Sequence, residues 1–278
     1  MSKAKFIGVF DSGFGGIDIL REIVKKMPEF DYIYLGDTAR VPYGPRNGPE
    51  IYEFTKQAVD FLFEHDCDLI ILACNTASSV ALRKIQQEYL PKKYLKEIDS
   101  KKVLGVLIPA VEEAVVTTKN NKIGVIGTEA TINSNVFKIE LQKINPRIQV
   151  FQNACPLLVP IVESGDQDTP GSLAILKEYL DPILEENIDT LILGCTHYGI
   201  LEPHIKKIIG NGVSIISENR IVGIKLENYL KRHPEIEKNI RKNGRVTFYS
   251  TNLTTGFEKL GGKFFGKKIK ALKATLTS

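Results

Sequence analysis

Short apolar runs alternate with amphipathic stretches through nearly the whole chain, and no other feature restricts its fold as strongly. The runs lie at 6–10, 32–35, 69–73, 103–108, 123–126, 149–153, 191–193, 213–216 and 246–249. Between them apolar residues recur at helical spacing, as in Ile17, Leu20 and Val24, or Ile51, Phe54, Ala58, Phe61 and Leu62. A strand that is apolar along its length and followed by an amphipathic helix belongs to a parallel sheet covered on both faces. The expected class is therefore α/β. Ligands of such folds bind outside the carboxyl ends of the strands, so the residues directly after each strand are the candidates for chemistry.

The chain also repeats itself. Asp68-Leu-Ile-Ile-Leu-Ala-Cys74-Asn-Thr76 matches Asp189-Thr-Leu-Ile-Leu-Gly-Cys195-Thr-His197 at an offset of 195 − 74 = 121 residues. Ile7-Gly-Val-Phe-Asp-Ser12 resembles Ile123-Gly-Val-Ile-Gly-Thr128 at an offset of 123 − 7 = 116. Two strand starts recurring in one order at nearly one spacing predict two similar lobes, each with a cysteine at a strand end. The expected division is 1–98 with 218–278 for the first lobe and 99–217 for the second.

Composition excludes several classes. An apolar fraction of 43% with 25% charged residues fits a folded globular chain. The net charge of +4 is mild and no basic stripe interleaves with aromatics, so nucleic acid is not an expected partner. Lys263, Lys267, Lys268, Lys270 and Lys273 read as a solvated amphipathic end. No apolar run approaches the roughly 18 residues of a membrane span. The N-terminus runs straight into a strand, without the apolar core of a signal peptide. A cytoplasmic protein with no membrane partner is expected, and a homodimer is left open.

The four cysteines, Cys67, Cys74, Cys155 and Cys195, show neither zinc spacing nor a secreted disulfide framework. Cys67 and Cys155 read as buried structural residues. Cys74 and Cys195 each follow a strand and precede a helix. A helix start should lower a thiol's pKa, and its N–H groups, with Asn75, Thr76 and Thr196, can hold a carboxylate. Two thiols on opposite sides of a small site suit inversion of an α-carbon, one taking a proton and the other giving one, without metal or pyridoxal. With each sulfur about 3–3.5 Å from that carbon, they stay too far apart for a disulfide of about 2.05 Å. A neutral thiol is a poor base, so helpers are expected: His197 for Cys195 and Asp11 for Cys74, with Ser12 placed to bind substrate.

Gly13 and Gly15 fill two positions of a dinucleotide fingerprint, and Asp37 lies near its acid. Asp18 stands where the third glycine should be, so small-anion binding by exposed N–H groups is the preferred reading. Val41-Pro42-Tyr43-Gly44-Pro45-Arg46 reads as a donor-rich site loop. Glu163 is an acid beside an apolar run.

Together Asp11-Ser-Gly-Phe-Gly-Gly16, Gly36-Asp-Thr-Ala-Arg-Val-Pro-Tyr-Gly44, Ala73-Cys-Asn-Thr-Ala77, Gly124-Val-Ile-Gly-Thr-Glu-Ala-Thr131 and Leu193-Gly-Cys-Thr-His-Tyr198 resemble the glutamate racemases. The resemblance spans nearly the whole chain. It implies two flavodoxin-like lobes with glutamate bound between them, no cofactor, and a role in supplying D-glutamate for peptidoglycan. It implies that Cys74 deprotonates D-glutamate and Cys195 L-glutamate. Asp11, Ser12, Tyr43, Gly44, Asn75, Thr76, Thr196 and His197 would bind substrate, with Thr128 a further contact. Asp11, Asp37, Glu163 and His197 fall at the family's assisting acids and bases. The chain departs from the family at Gly199, where a proline is usual, and at Ser217-Glu218-Asn219. Read from the residues alone, a racemase for aspartate or another amino acid stays open, as do a non-catalytic amino-acid-binding protein and a thiol redox protein. The absence of any C-x-x-C pair weighs against the redox reading.

Overall fold

The computed structural model describes residues 5–95, 97 and 100–277. Ten strands run through them: β1 Phe6–Asp11, β2 Tyr32–Gly36, β3 Cys67–Leu72, β4 Lys102–Gly105, β5 Lys122–Gly127, β6 Gln149–Ala154, β7 Thr190–Gly194, β8 Ser214–Ile216, β9 Val246–Ser250 and β10 Ala271–Lys273. The chain divides into two compact units, Met1–Val106 with Asn219–Ser278, and Leu107–Glu218. The first crossing thus follows β4. The boundary expected from the sequence falls at Ile98 and Asp99, which lie outside the described residues.

The first unit holds a six-stranded sheet in the order β10-β9-β2-β1-β3-β4, and every pairing in it is parallel. β1 and β2 are buried almost end to end, as a sheet covered on both faces requires. The helices Gly16–Lys26 and Gly48–Glu64 pack on it with Ile17, Leu20 and Ile23, and with Ile51, Ala58 and Leu62. Asn47 caps the second of these by accepting from the Glu50 N–H at 3.0 Å.

The second unit holds a four-stranded parallel sheet in the order β6-β5-β7-β8. Numbered within each unit, both sheets contain the order 2-1-3-4. The sequence repeat is therefore also a repeat of topology. In each unit the strand order reverses beside the first strand, which leaves a crevice at the carboxyl ends of β1 and β3, and of β5 and β7.

One sequence expectation is corrected. The apolar stretch 103–108 is not one strand of the second lobe: β4 ends at Gly105 and pairs with β3 in the first sheet. Leu107 opens the helix Leu107–Thr117, whose buried residues Leu107, Ala110, Val111 and Ala114 make a helical stripe. The lysines of the carboxyl-terminal end are exposed, with Phe264, Phe265 and Ala271 buried among them, so the solvated amphipathic reading holds, and the last lysine belongs to β10, which extends the sheet beyond β9. Lys273 Nζ also donates to the Thr251 carbonyl.

Candidate active site

In the first unit, β1 delivers Asp11 and Ser12, and β3 delivers Cys74. Cys74 caps the short helix Asn75–Val80, and its Sγ accepts from the Ala77 N–H at 3.4 Å. Ser12 Oγ lies 3.4 Å from the same sulfur. Asp11 is fully buried, and its Oδ2 accepts from the Gly13 N–H at 2.8 Å. Asn75 and Thr76 are buried beside them as the first residues of that helix.

The helix start lowers the Cys74 thiol as expected, through the Ala77 N–H, but it does not set the net direction. Burial and the negative charge of Asp11 push it from the usual 9.0 up to about 11, against the lowering hydrogen bonds of Ser12 and Ala77. Desolvation acts on the whole thiolate charge, whereas the hydrogen bonds recover only part of it. The resting thiol is neutral at physiological pH. Cys67 and Cys155 are buried too, and burial raises both, Cys155 to about 12. All four cysteines are free.

Asp37, at the end of β2, is fully buried and heavily committed. Its carboxylate accepts from Tyr43 Oη at 2.5 Å, Arg40 Nε at 2.6 Å and Thr251 Oγ1 at 2.8 Å. Arg40 reaches on to Gln57 and lies over the Phe54 ring at 4.1 Å. Burial and the Asp37 charge hold the Tyr43 phenol well above its ordinary range, so it remains a neutral donor. Asp37 thus sits behind Tyr43 and braces the loop that continues through Gly44. Sequence reading missed Arg40 and Thr251 as members of this group. Arg40 was in plain view beside Asp37, but Thr251 is 214 positions from it and only the β2–β9 pairing brings them together.

In the second unit, β7 delivers Cys195, Thr196 and His197. His197 Nδ1 lies 3.8 Å from Cys195 Sγ and 3.4 Å from Thr196 Oγ1. Its Nε2 lies 3.1 Å from Glu163 Oε1, on the helix Leu158–Ser164. Sulfur, imidazole and carboxylate stand in a row, the order needed for a base held in orientation by an acid. Thr128, after β5, caps the helix Glu129–Asn133 through the Thr131 N–H and also meets the Thr131 hydroxyl. The departure at Gly199 falls inside the helix Tyr198–Ile209, which starts at Tyr198 without a proline in its first turn. At the other departure, Glu218 and Asn219 open the helix Glu218–Arg232, and Asn219 donates to Asp18 Oδ2 at 2.7 Å. Arg21 is paired to the same carboxylate.

Among the described residues, no group of three or more His, Cys, Asp and Glu side chains could hold a metal ion, and no helix is long and apolar enough to cross a membrane.

The family described as Asp/Glu/hydantoin racemase matches residues 7–222. The chain is 41% identical over 274 residues to a glutamate racemase of Persephonella marina, covering 98% of this chain and 97% of that one. Among solved structures it is similar to a glutamate racemase isoform of Bacillus anthracis, with 36% identity, a TM-score of 0.87, and 99% and 98% of the two chains covered. It is also similar to the glutamate racemase of Francisella tularensis in complex with D-glutamate, with 33% identity, a TM-score of 0.87 and 98% of each chain covered.

Proposed function

The chain belongs to the Asp/Glu/hydantoin racemase family, alongside its glutamate racemases, and from that premise we propose that it interconverts L- and D-glutamate through two thiols, Cys74 and Cys195. The observation that carries this is the like placement of the two cysteines, each at a strand end beside a group able to manage its proton. The relative from Francisella tularensis holds D-glutamate, and glutamate is the substrate proposed here.

From D-glutamate, the Cys74 thiolate takes the α-proton and the Cys195 thiol returns one to the opposite face. From L-glutamate the roles exchange. After each passage one sulfur has gained a proton and the other has lost one, so the site is poised for the opposite enantiomer. On the Cys195 side, His197 accepts the thiol proton and Glu163 balances the imidazolium charge. On the Cys74 side, the resting charge of Asp11 disfavours the thiolate. The α-ammonium of the substrate offsets that charge, so the base is generated when substrate arrives. Tyr43, Gly44, Asn75, Thr76, Thr196 and Thr128 supply donors for the carboxylates. No metal or pyridoxal group enters the cycle. The D-glutamate formed in the cytoplasm supplies peptidoglycan synthesis.

Cys74→Ala and Cys195→Ala are each expected to abolish racemisation followed by optical rotation, with chelator and carbonyl reagents leaving the wild-type rate unchanged. A substantial rate in either variant would remove that thiol from the mechanism. Faster racemisation of aspartate than of glutamate would keep the mechanism and change the substrate.

A further inference from the structure

Tyr34 lies in the middle of β2 with its side chain wholly buried, and its hydroxyl donates to the Gly13 carbonyl at 2.9 Å. Gly13 in turn donates its N–H to Asp11 Oδ2 at 2.8 Å. Ser12, between them, places its hydroxyl 3.4 Å from Cys74 Sγ. The turn that carries the Ser12 hydroxyl is therefore tied down at Gly13. β2 also presses on it: a Cβ at Gly36 would stand 2.9 Å from the Gly13 carbonyl oxygen and 3.3 Å from the Tyr34 ring. Phe14, next along, packs on Phe257 with ring centroids 5.4 Å apart.

We propose that Tyr34 is a positioning residue for proton transfer at Cys74, holding Ser12 against the sulfur by anchoring the Gly13 carbonyl. This rests on the reading of Cys74 as a base. The hydroxyl is suited to the task, because a buried phenol seeks a partner. Burial, with the nearby charges of Asp11 and Cys74, keeps it protonated well above its ordinary range. Without it the Gly13 carbonyl is stranded in a dry place and the turn must relax to find a donor. Asp11 is held by its pairing with Gly36 at the end of β1, whereas Ser12 belongs to no strand. Relaxation therefore removes the Ser12 contact while the Asp11 charge stays, and the thiolate becomes harder to form.

The test compares Tyr34→Phe with Tyr198→Phe in the full chain. Tyr198 is an equally buried tyrosine whose hydroxyl donates to the Cys155 carbonyl at 2.9 Å in the second unit, so it controls for the general effect of an orphaned carbonyl. Alkylation of Cys74 by iodoacetamide is followed against pH by peptide mass spectrometry, beside kcat and KM for glutamate. Tyr34→Phe should move the Cys74 profile upward by roughly half a pH unit to one unit and lower kcat about three- to tenfold. Tyr198→Phe should leave that profile in place. Ser12→Ala should reproduce the shift, and adding Tyr34→Phe to it should go no further. A Cys74 profile unmoved or lowered in Tyr34→Phe, an equal shift in Tyr198→Phe, or additive shifts in the double variant would each overturn the proposal. Wild-type protein inactive on glutamate would instead sink the proposed function, and the alkylation comparison would still decide whether Tyr34 acts on Cys74.

Discussion

Cys74 and Cys195 follow strands of the same rank in two like sheets, yet different groups stand beside them. The Cys74 sulfur meets a hydroxyl and a backbone N–H, with a buried carboxylate close enough to raise its pKa. Cys195 meets an imidazole backed by Glu163. The Glu163 contact therefore belongs to one thiol alone. Glu163→Gln preserves a hydrogen-bonding group of the same size but removes the charge behind His197. It should lower kcat by on the order of 10²-fold while the pH profile of Cys74 alkylation stays where it is. A wild-type kcat in that variant would make Glu163 a bystander. The places of Ser12, Cys74 and His197 just after strands were legible in the sequence. The sign of the Cys74 shift was not, because a helix start is visible in a sequence and the depth of burial around a sulfur is not. Nor was the bracing of Tyr43 by Asp37, since it depends on Thr251 from a distant strand.

The strands were the most legible elements, because a parallel strand buried on both faces is nearly continuous in apolar residues. What failed was the end of one run. Val106 and Leu107 continue the apolar character of β4, and composition alone does not separate a strand from the first turn of a buried helix. β10 escaped notice for the opposite reason, since Leu272 and Lys273 are exposed on a three-residue edge strand. Packing between elements is tight where a strand lacks a side chain. A Cβ added at Gly124 of β5 would stand 2.5 Å from Ile183 Cγ2 and 2.7 Å from Ile188 Cδ1. Gly124→Ala must displace the helix Pro170–Leu184 or the turn after it. It should cost about 1–3 kcal/mol of stability, seen as a lower midpoint in thermal or urea unfolding. An unchanged midpoint would mean that this layer yields more readily than its contacts imply.

At the scale of the whole molecule, each unit carries a carboxylate that ties loops to the amino-terminal end of its sheet. Asp31 accepts from the Asn243 N–H and side chain and from the Arg245 N–H. Asp189 accepts from the Thr118 and Thr190 hydroxyls and the N–H groups of Lys119 and Asn120. In both, burial raises the pKa but these hydrogen bonds outweigh it, and the net direction is down. A folded pKa below the unfolded one gives stability that is present above about pH 4 and lost as pH falls through the folded value. Thermal midpoints should therefore drop on acidification, and Asp31→Asn with Asp189→Asn should flatten that drop. An acid limb unaffected by the pair would place the linkage elsewhere. At the alkaline end, Cys74 and Cys155, raised to about 11 and about 12, lose their contribution as pH climbs through those values.

The central claim is that the proton removed from one face of glutamate is not the proton returned to the other. Brief reaction of L-glutamate in heavy water, followed by chiral separation of the two enantiomers and mass spectrometry of each for α-deuterium, tests it most directly. Two thiols exchanging with solvent on opposite faces should yield D-glutamate carrying deuterium at the α-carbon, while the L-glutamate still present keeps its α-proton. Retention of the original proton in the D-glutamate, or deuterium entering the remaining L-glutamate as fast as product forms, would mean that a single base works on both faces, and the two-thiol account would fail.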